Sequence, residues 1–194
     1  MAADEQGAGL VGWLARLRAE RARAATARTL YLAVVARARR LEPYAVMGVP
    51  DTPDGRFEMI GLETALVLRR LRGLGEEGER LGRALLEVMV GDFDRNLREM
   101  GVGDLSVGRW VKRMTASVLA RAAVLDEALA RGDRAGLVSH LARAFFPDGP
   151  PDSARLEELA AEVEAAAARL ARVPAEALLA GRLEEPEPDG RESR

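Results

Sequence analysis

Leu81, Leu85, Met89, Phe93 and Leu97 recur at helical spacing and form the cleanest apolar stripe in the chain. Asp92, Asn96 and Glu99 fall at i, i+4 and i+7 on a neighbouring face, flanked by Arg95 and Arg98. The pattern predicts a long helix from about Glu76 to Met100, closed by Gly101 and Gly103, and the stretch from Leu85 to Leu105 is expected to organise the chain. Its ionic face must meet either another element of the protein or a partner.

The other elements follow from the same kind of reading. Residues 1 to 8 are polar and glycine-containing and are expected to lie outside any element, and Gly9 to Arg23 form a first helix carrying Trp13, Leu14 and Leu17. Thr26 or Thr29 caps a second helix with Leu30, Tyr31, Val34, Val35 and Ala38 inward, stopped by Pro43. A third helix runs from about Phe57 to Arg72. Asp104 or Ser106 caps a fifth, reaching Arg131, with Val107, Trp110, Val111, Met114, Val118, Leu125 and Leu129 facing a core, and Asp133 caps a sixth containing Leu137, Leu141, Phe145 and Phe146. After a break from Pro147 to Ser153, Leu156, Leu159, Val163, Ala166 and Leu170 line a helix, followed by a short turn from Pro174 to Leu179. Strand-type alternation is absent, so the class is all-α: a compact domain of about six helices with helical N- and C-terminal extensions. The expected divisions are a basic extension over 1–25, the main domain over 26–147, an acidic extension over 148–180 and a solvated tail over 181–194.

Between the second and third helices lies LEPYAVMGVPDTPDGRF, longer than most connections in helical domains and broken by Pro43, Gly48, Pro50, Pro53 and Gly55. Asp51 or Thr52 caps a turn opened by Pro53, and Asp54-Gly55 reads as a turn leading into Phe57. Tyr44, Val46, Met47 and Val49 have no place in a solvated linker. Beside Asp51, Asp54 and Arg56 they either rim an apolar binding surface or fold over and seal the core.

Charge refines the picture only by its distribution. The net charge is -2, yet residues 7 to 41 hold eight arginines against Glu20, whereas residues 152 to 194 hold eleven carboxylates against six arginines. The basic first helix, with Trp13, suits either an anionic lipid surface or packing on the domain. No run reaches the roughly 20 apolar residues of a spanning helix, and no secretory signal is expected, which leaves a protein that is soluble or lies on a surface. With Cys 0, disulfides, thiolate metal sites and cysteine nucleophiles are excluded.

Candidate chemistry is sparse. His140 is the only histidine and has no oriented partner beside it in sequence, so it is read as structural. Asp92, Asn96 and Glu99 offer oxygen ligands on one helical face, the basis of an alternative reading as a small metal-dependent enzyme. Arg95 and Arg98 compete for those carboxylates and favour an ion-pair network instead. There is no P-loop and no zinc spacing, and nucleic-acid binding would rest on the N-terminal arginines alone. The residues describe a helical interaction protein without a catalytic set, a metal or a cofactor.

Three blocks carry a resemblance: GVPDTPDGRFEMIGL (Gly48 to Leu62), LVLRRLR (Leu66 to Arg72) and DFDRNLREMGVGDLSVGRWVKRM (Asp92 to Met114). Together with their spacing they resemble the ubiquinol-cytochrome c chaperone family, over roughly Tyr31 to Phe146. The resemblance implies an all-helical, non-enzymatic chaperone for newly made cytochrome b in the assembly of respiratory complex III. It also implies a small partner protein and the ribosomal exit as neighbours, and a bacterial-type, cytoplasmic protein; the expectation of peripheral membrane contact through Gly9 to Arg23 rests instead on Trp13 and the arginines of that helix. Two positions depart from the family pattern: Leu62-Glu63 stands for the usual Leu-His, and Leu119-Ala120-Arg121 for Tyr-Gly-Arg. The surface expected to meet the client joins Tyr44, Val46, Met47, Val49, Asp51, Asp54, Arg56 and Phe57 to Asp92, Arg95, Asn96, Arg98, Glu99 and Asp104. Arg95 or Arg98 is expected to pair with Asp51 or Asp54 and so shape the loop.

Overall fold

A computed structural model describes residues 2–149 and 152–183, and the side chains of these except 2–12 and 105. The helices are α1 (Ala2–Ala38), α2 (Glu42–Ala45), α3 (Pro53–Arg72), α4 (Gly75–Glu99), α5 (Asp104–Arg131), α6 (Arg134–Phe145), α7 (Ser153–Arg172) and α8 (Ala175–Leu179). No strand occurs among the described residues, and the fold is all-α, as the periodicity implies. Of the tail expected over 181–194, residues 181–183 are described and are not all solvated, since Leu183 is buried in the core; the remainder lies outside the described residues.

The centre of the fold is α3 rather than α4. Every residue from Met59 to Leu68 is buried, and α3 packs against α1, α4, α5, α6 and α7. A helix that is apolar nearly all round belongs inside a bundle. The stripe on α4 is buried as expected, with Leu81, Leu85, Met89, Phe93 and Leu97 all at most 4% exposed, but it forms one wall of the core. Its clean amphipathicity marks a helix with one wet side, which is why it stands out in the sequence.

Three local expectations change. The first two expected helices are one, α1, which begins at Ala2 and so includes residues expected outside any element. Thr26 and Thr29 do not cap it: their hydroxyls donate to the Ala22 and Ala25 carbonyls at 3.1 and 3.3 Å. No proline or glycine interrupts the alanine- and arginine-rich run from Trp13 to Arg40, so helix propensity carries through.

Helix α3 starts at Pro53, earlier than Phe57. Thr52 is its N-cap, accepting from the Gly55 N–H at 3.1 Å, so Asp54-Gly55 lies in the first helical turn instead of a reverse turn. Glycine is needed at 55 for closeness, since a Cβ there would overlap the Pro50 carbonyl. At α5 neither Asp104 nor Ser106 caps: Gly103 holds the N-cap position without a side-chain bond, and Asp104 is drawn to Arg98. Asp133 caps α6 as expected, accepting from Gly136 N–H at 2.8 Å.

Leu156, Leu159, Val163, Ala166 and Leu170 of α7 join the same core as α3. Arg70 of α3 donates to the Leu170 and Val173 carbonyls at 3.2 and 3.1 Å, satisfying acceptors that the end of α7 leaves open.

Candidate interaction surface

The long connection collapses onto the bundle by burying two of its apolar residues. Met47 and Val49 are 6% and 2% exposed and belong to the core, so they anchor the segment from below instead of forming a rim. Tyr44, half-buried, donates its hydroxyl to the Ala38 carbonyl at 2.7 Å and ties α2 back to the end of α1. Burial raises its phenol above the ordinary range. Val46 is 52% exposed and points away from both concavities described next.

Phe57 meets Phe93 edge to face, ring centroids 5.1 Å apart, and so joins the start of α3 to α4. On one side of Phe57 lies a concavity of about 310 Å³ lined by Tyr44, Asp51, Arg56, Phe57, Asp92 and Asn96. Arg39, Thr52, Pro53, Ile60 and Met100 also line it. On the other side lies a second, of about 540 Å³, between the start of α3, α5 and the end of α6, with Asp54 in its wall. Val46, Met47, Val49, Asp54, Arg95, Arg98, Glu99 and Asp104 lie outside the smaller concavity, which brings Tyr44, Asp51, Arg56 and Phe57 of the connection together with Asp92 and Asn96 of α4.

The connection and α4 are not joined there through the expected ion pairs. Asp51 pairs with Arg56 at 2.6 Å, and that hydrogen bond holds the Asp51 carboxyl below its ordinary range. Arg98 pairs with Asp94 at 2.7 Å and with Asp104, bracing the α4–α5 turn. Arg95 is 3.9 Å from Asp92, one turn away on its own helix. Short local separations win because two side chains on adjacent turns are held close by the helix itself. The physical link across the surface is instead Tyr31 of α1, whose hydroxyl donates to Asp92 at 2.8 Å. Burial, then that bond to Asp92, push the Tyr31 phenol up.

Asp92, Asn96 and Glu99 are committed separately. Asp92 accepts from Tyr31, the Asn96 amide donates to the Asp92 backbone carbonyl at 2.8 Å, and Glu99 is exposed at the helix end. Among the described residues no three His, Cys, Asp or Glu side chains gather as a metal site. His140 is partly buried, with Nε2 lacking a partner; burial, then Arg121 and Arg143, hold its pKa down at about 4.

Sequence reasoning missed Met100, Arg39, Asp148 and Arg113 as surface residues, and placed Trp110 and Met114 in the core. Met100 is 51% exposed, just past the last residue of the α4 stripe. Trp110 and Met114 sit at core spacing but stop halfway in, and Arg113 stacks over the Trp110 ring at 4.0 Å. The two departures from the family pattern are also placed: Glu63 is buried and paired with Arg37 at 2.9 Å, and Leu119 is 47% exposed on α5.

The described residues form an all-helical bundle with open concavities on its surface. The chain belongs to the ubiquinol-cytochrome C chaperone family, whose pattern it matches over residues 45–185. A solved structure described as the Cbp3 homolog from Brucella abortus is similar at 31% identity and a TM-score of 0.77, covering 91% of this chain and 97% of that one. No curated protein matches the chain significantly. Among the described residues no helix is long and apolar enough to cross a membrane.

Proposed function

We propose that this protein is an assembly chaperone that binds newly made cytochrome b and supports its entry into the cytochrome bc complex, respiratory complex III. The observation that carries the reading is the pair of open concavities on either side of Phe57, the larger lined wholly and the smaller mostly by residues of the segment that matches the family. A membrane subunit awaiting assembly exposes apolar segments, and holding them reversibly calls for apolar floors with charged rims. Tyr44, Phe57 and Met100 supply apolar contact, while Asp51, Arg56, Asp92 and Asn96 supply the rim. Arg95, Arg98, Glu99 and Asp104 extend the charged edge along α4 and into α5, with Val46 exposed at the other end.

The protein holds its client without chemistry, so it needs no cofactor, and the metal-dependent alternative is not favoured, since Asp92 is engaged by Tyr31 and no three His, Cys, Asp or Glu side chains gather among the described residues. It works in the cytoplasm, near the ribosome exit and with a small partner protein. The start of α1 touches the membrane, since Trp13 and Leu14 are 55% and 40% exposed and Arg16, Arg18 and Arg21 are exposed beside them.

Cells lacking the protein are expected to lose assembled cytochrome bc complex and to show reduced cytochrome b, both restored by a plasmid copy. Normal cytochrome b and normal complex in the deletion strain would overturn the proposal. Removing residues 1 to 25 is expected to reduce co-sedimentation with anionic liposomes; unchanged co-sedimentation removes the membrane contact and leaves the client reading intact.

A further inference from the structure

We infer that the larger concavity takes an apolar segment ending in Lys or Arg, the chemistry found where a membrane-spanning helix meets its cytoplasmic loop. The inference rests on the client reading and names the kind of client segment the surface selects.

The concavity of about 540 Å³ has the size of a ligand cleft, and Phe57, Trp110, Met114 and Phe146 give it an aromatic and thioether lining. Such a lining accepts varied apolar side chains, because methionine adapts its shape and aromatic rings supply large contact areas. Ser117 and Ala144, also in the wall, are small and leave the space unfilled. Apolar character alone would not choose an occupant.

Charge makes the choice. One charged residue in the wall is neutralised, and another is stacked but keeps its charge. Glu58 pairs with Arg121, a buried residue that also donates to the Glu58 backbone carbonyl at 2.9 Å. Arg113 lies over Trp110 at 4.0 Å from the ring centre. Asp54, on the first turn of α3, and Asp148, in the turn after α6, are exposed and have no ion-pair partner among the described residues. The smaller concavity differs: its Asp51 is neutralised by Arg56, and Arg39 adds a further cation. Asp92 of the smaller one is also paired, with Arg95. Among the described residues, therefore, only the larger of the two presents carboxylates without an ion-pair partner, on two separate walls, and they outnumber its one unpaired cation, Arg113.

Cytoplasmic flanks of spanning helices carry an excess of Lys and Arg directly beside an apolar run. A cleft with an apolar floor and two unmatched carboxylates complements that arrangement and repels the same segment with acidic ends. Selection by the rim would make the chaperone hold a spanning segment by its cytoplasmic edge.

The test uses the full chain with Trp13→Phe, which leaves Trp110 as the only tryptophan, and reads its fluorescence. One synthetic peptide carries a leucine-rich segment ending in two arginines; its counterpart ends in two glutamates. The arginine peptide is expected to bind and to perturb Trp110, with the glutamate peptide about tenfold weaker. Asp54→Asn combined with Asp148→Asn is expected to weaken the arginine peptide about fivefold and to reduce its salt dependence. Both positions are exposed, so the double variant keeps its fold, which circular dichroism verifies. Equal affinity for the two peptides, or unchanged affinity in the double variant, overturns the inference. Either result alongside lost cytochrome b in the deletion strain would remove this selectivity and leave the client reading standing.

Discussion

Two arginine–carboxylate clusters in this protein use the same chemistry at opposite levels of burial. On the seam of α1, α3 and α7, Glu63 takes Arg37 at 2.9 Å and Arg40 at 3.7 Å, and Arg40 continues to Glu162 at 3.0 Å, which Arg169 reaches at 2.6 Å. The Glu63 side chain is 4% exposed. At the α4–α5 turn, Arg98 joins Asp94 and Asp104, with about half of its side chain in water. At the centre of the first cluster Glu63 and Arg37 were removed from water and depend on each other, while Arg40 and Arg169 reach in from the surface. In the second, water screens the attraction and can replace it. Glu63 and Arg37 are therefore structural, whereas the charged residues of the turn can exchange partners at little cost in stability, as a docking rim requires.

The largest effect that tests this contrast is expected at Glu63. Glu63→Ala leaves the largely buried Arg37 without its carboxylate, and breaking a buried pair from one side costs on the order of 3 kcal/mol. Urea denaturation followed by circular dichroism measures the loss. A value below that of the surface variants would place Glu63 among the exchangeable charges. The resemblance suggests a histidine at this position in relatives; here a carboxylate is tolerated because two arginines surround it.

A smaller effect is expected from His140, through pH. Its folded pKa of about 4 lies below the ordinary 6.5, so the folded protein binds fewer protons than the unfolded chain between those values. Stability contributed by His140 is complete above pH 6.5 and is lost as pH falls towards about 4. His140→Gln is expected to flatten that part of the stability–pH curve. An unchanged slope in the variant would mean that other groups carry it.

Tyr31 lies between the two extremes, a buried ring whose hydroxyl reaches the half-exposed Asp92. Tyr31→Phe removes one hydrogen bond to a charged group and is expected to cost about 1 to 2 kcal/mol in thermal denaturation. It also frees Asp92 within the smaller concavity, so client capture should change along with stability. A change in stability alone would confine Tyr31 to the interior.

The sequence carried the elements far better than the pairings between them. Helix α4, α6 and α7 could be read almost residue by residue because their apolar positions keep a single face, as Leu81 to Leu97 do. Helix α3 was less legible as the centre, since a helix buried on all sides has no contrasting face to reveal it. Local ion pairs such as Arg98–Asp94, four residues apart, follow from spacing. Glu63 with Arg37, 26 residues away, and Arg121 with Glu58, 63 away, depend on how the helices dock, which no spacing rule encodes. The surface was half legible for the same reason: the connection and the α4 face meet, but Met47 and Val49 turned inward and Trp110, Met114 and Asp148 came from elements considered only for the core or a boundary.

The smallest effect on stability is expected at Arg98, and it is the most informative about function. Arg98→Ala removes two exposed pairs that water screens, and Asp104 keeps a favourable place at the start of α5 without it. The fold should therefore be nearly unaffected, with a melting temperature only slightly below that of the parent. If the turn is a docking rim, the same variant should retain less cytochrome b in pull-downs from cells, whereas Glu63→Ala protein that remains folded should retain the normal amount. Equal retention by Arg98→Ala and parent would withdraw the α4–α5 turn from the binding surface and leave only the two concavities beside Phe57.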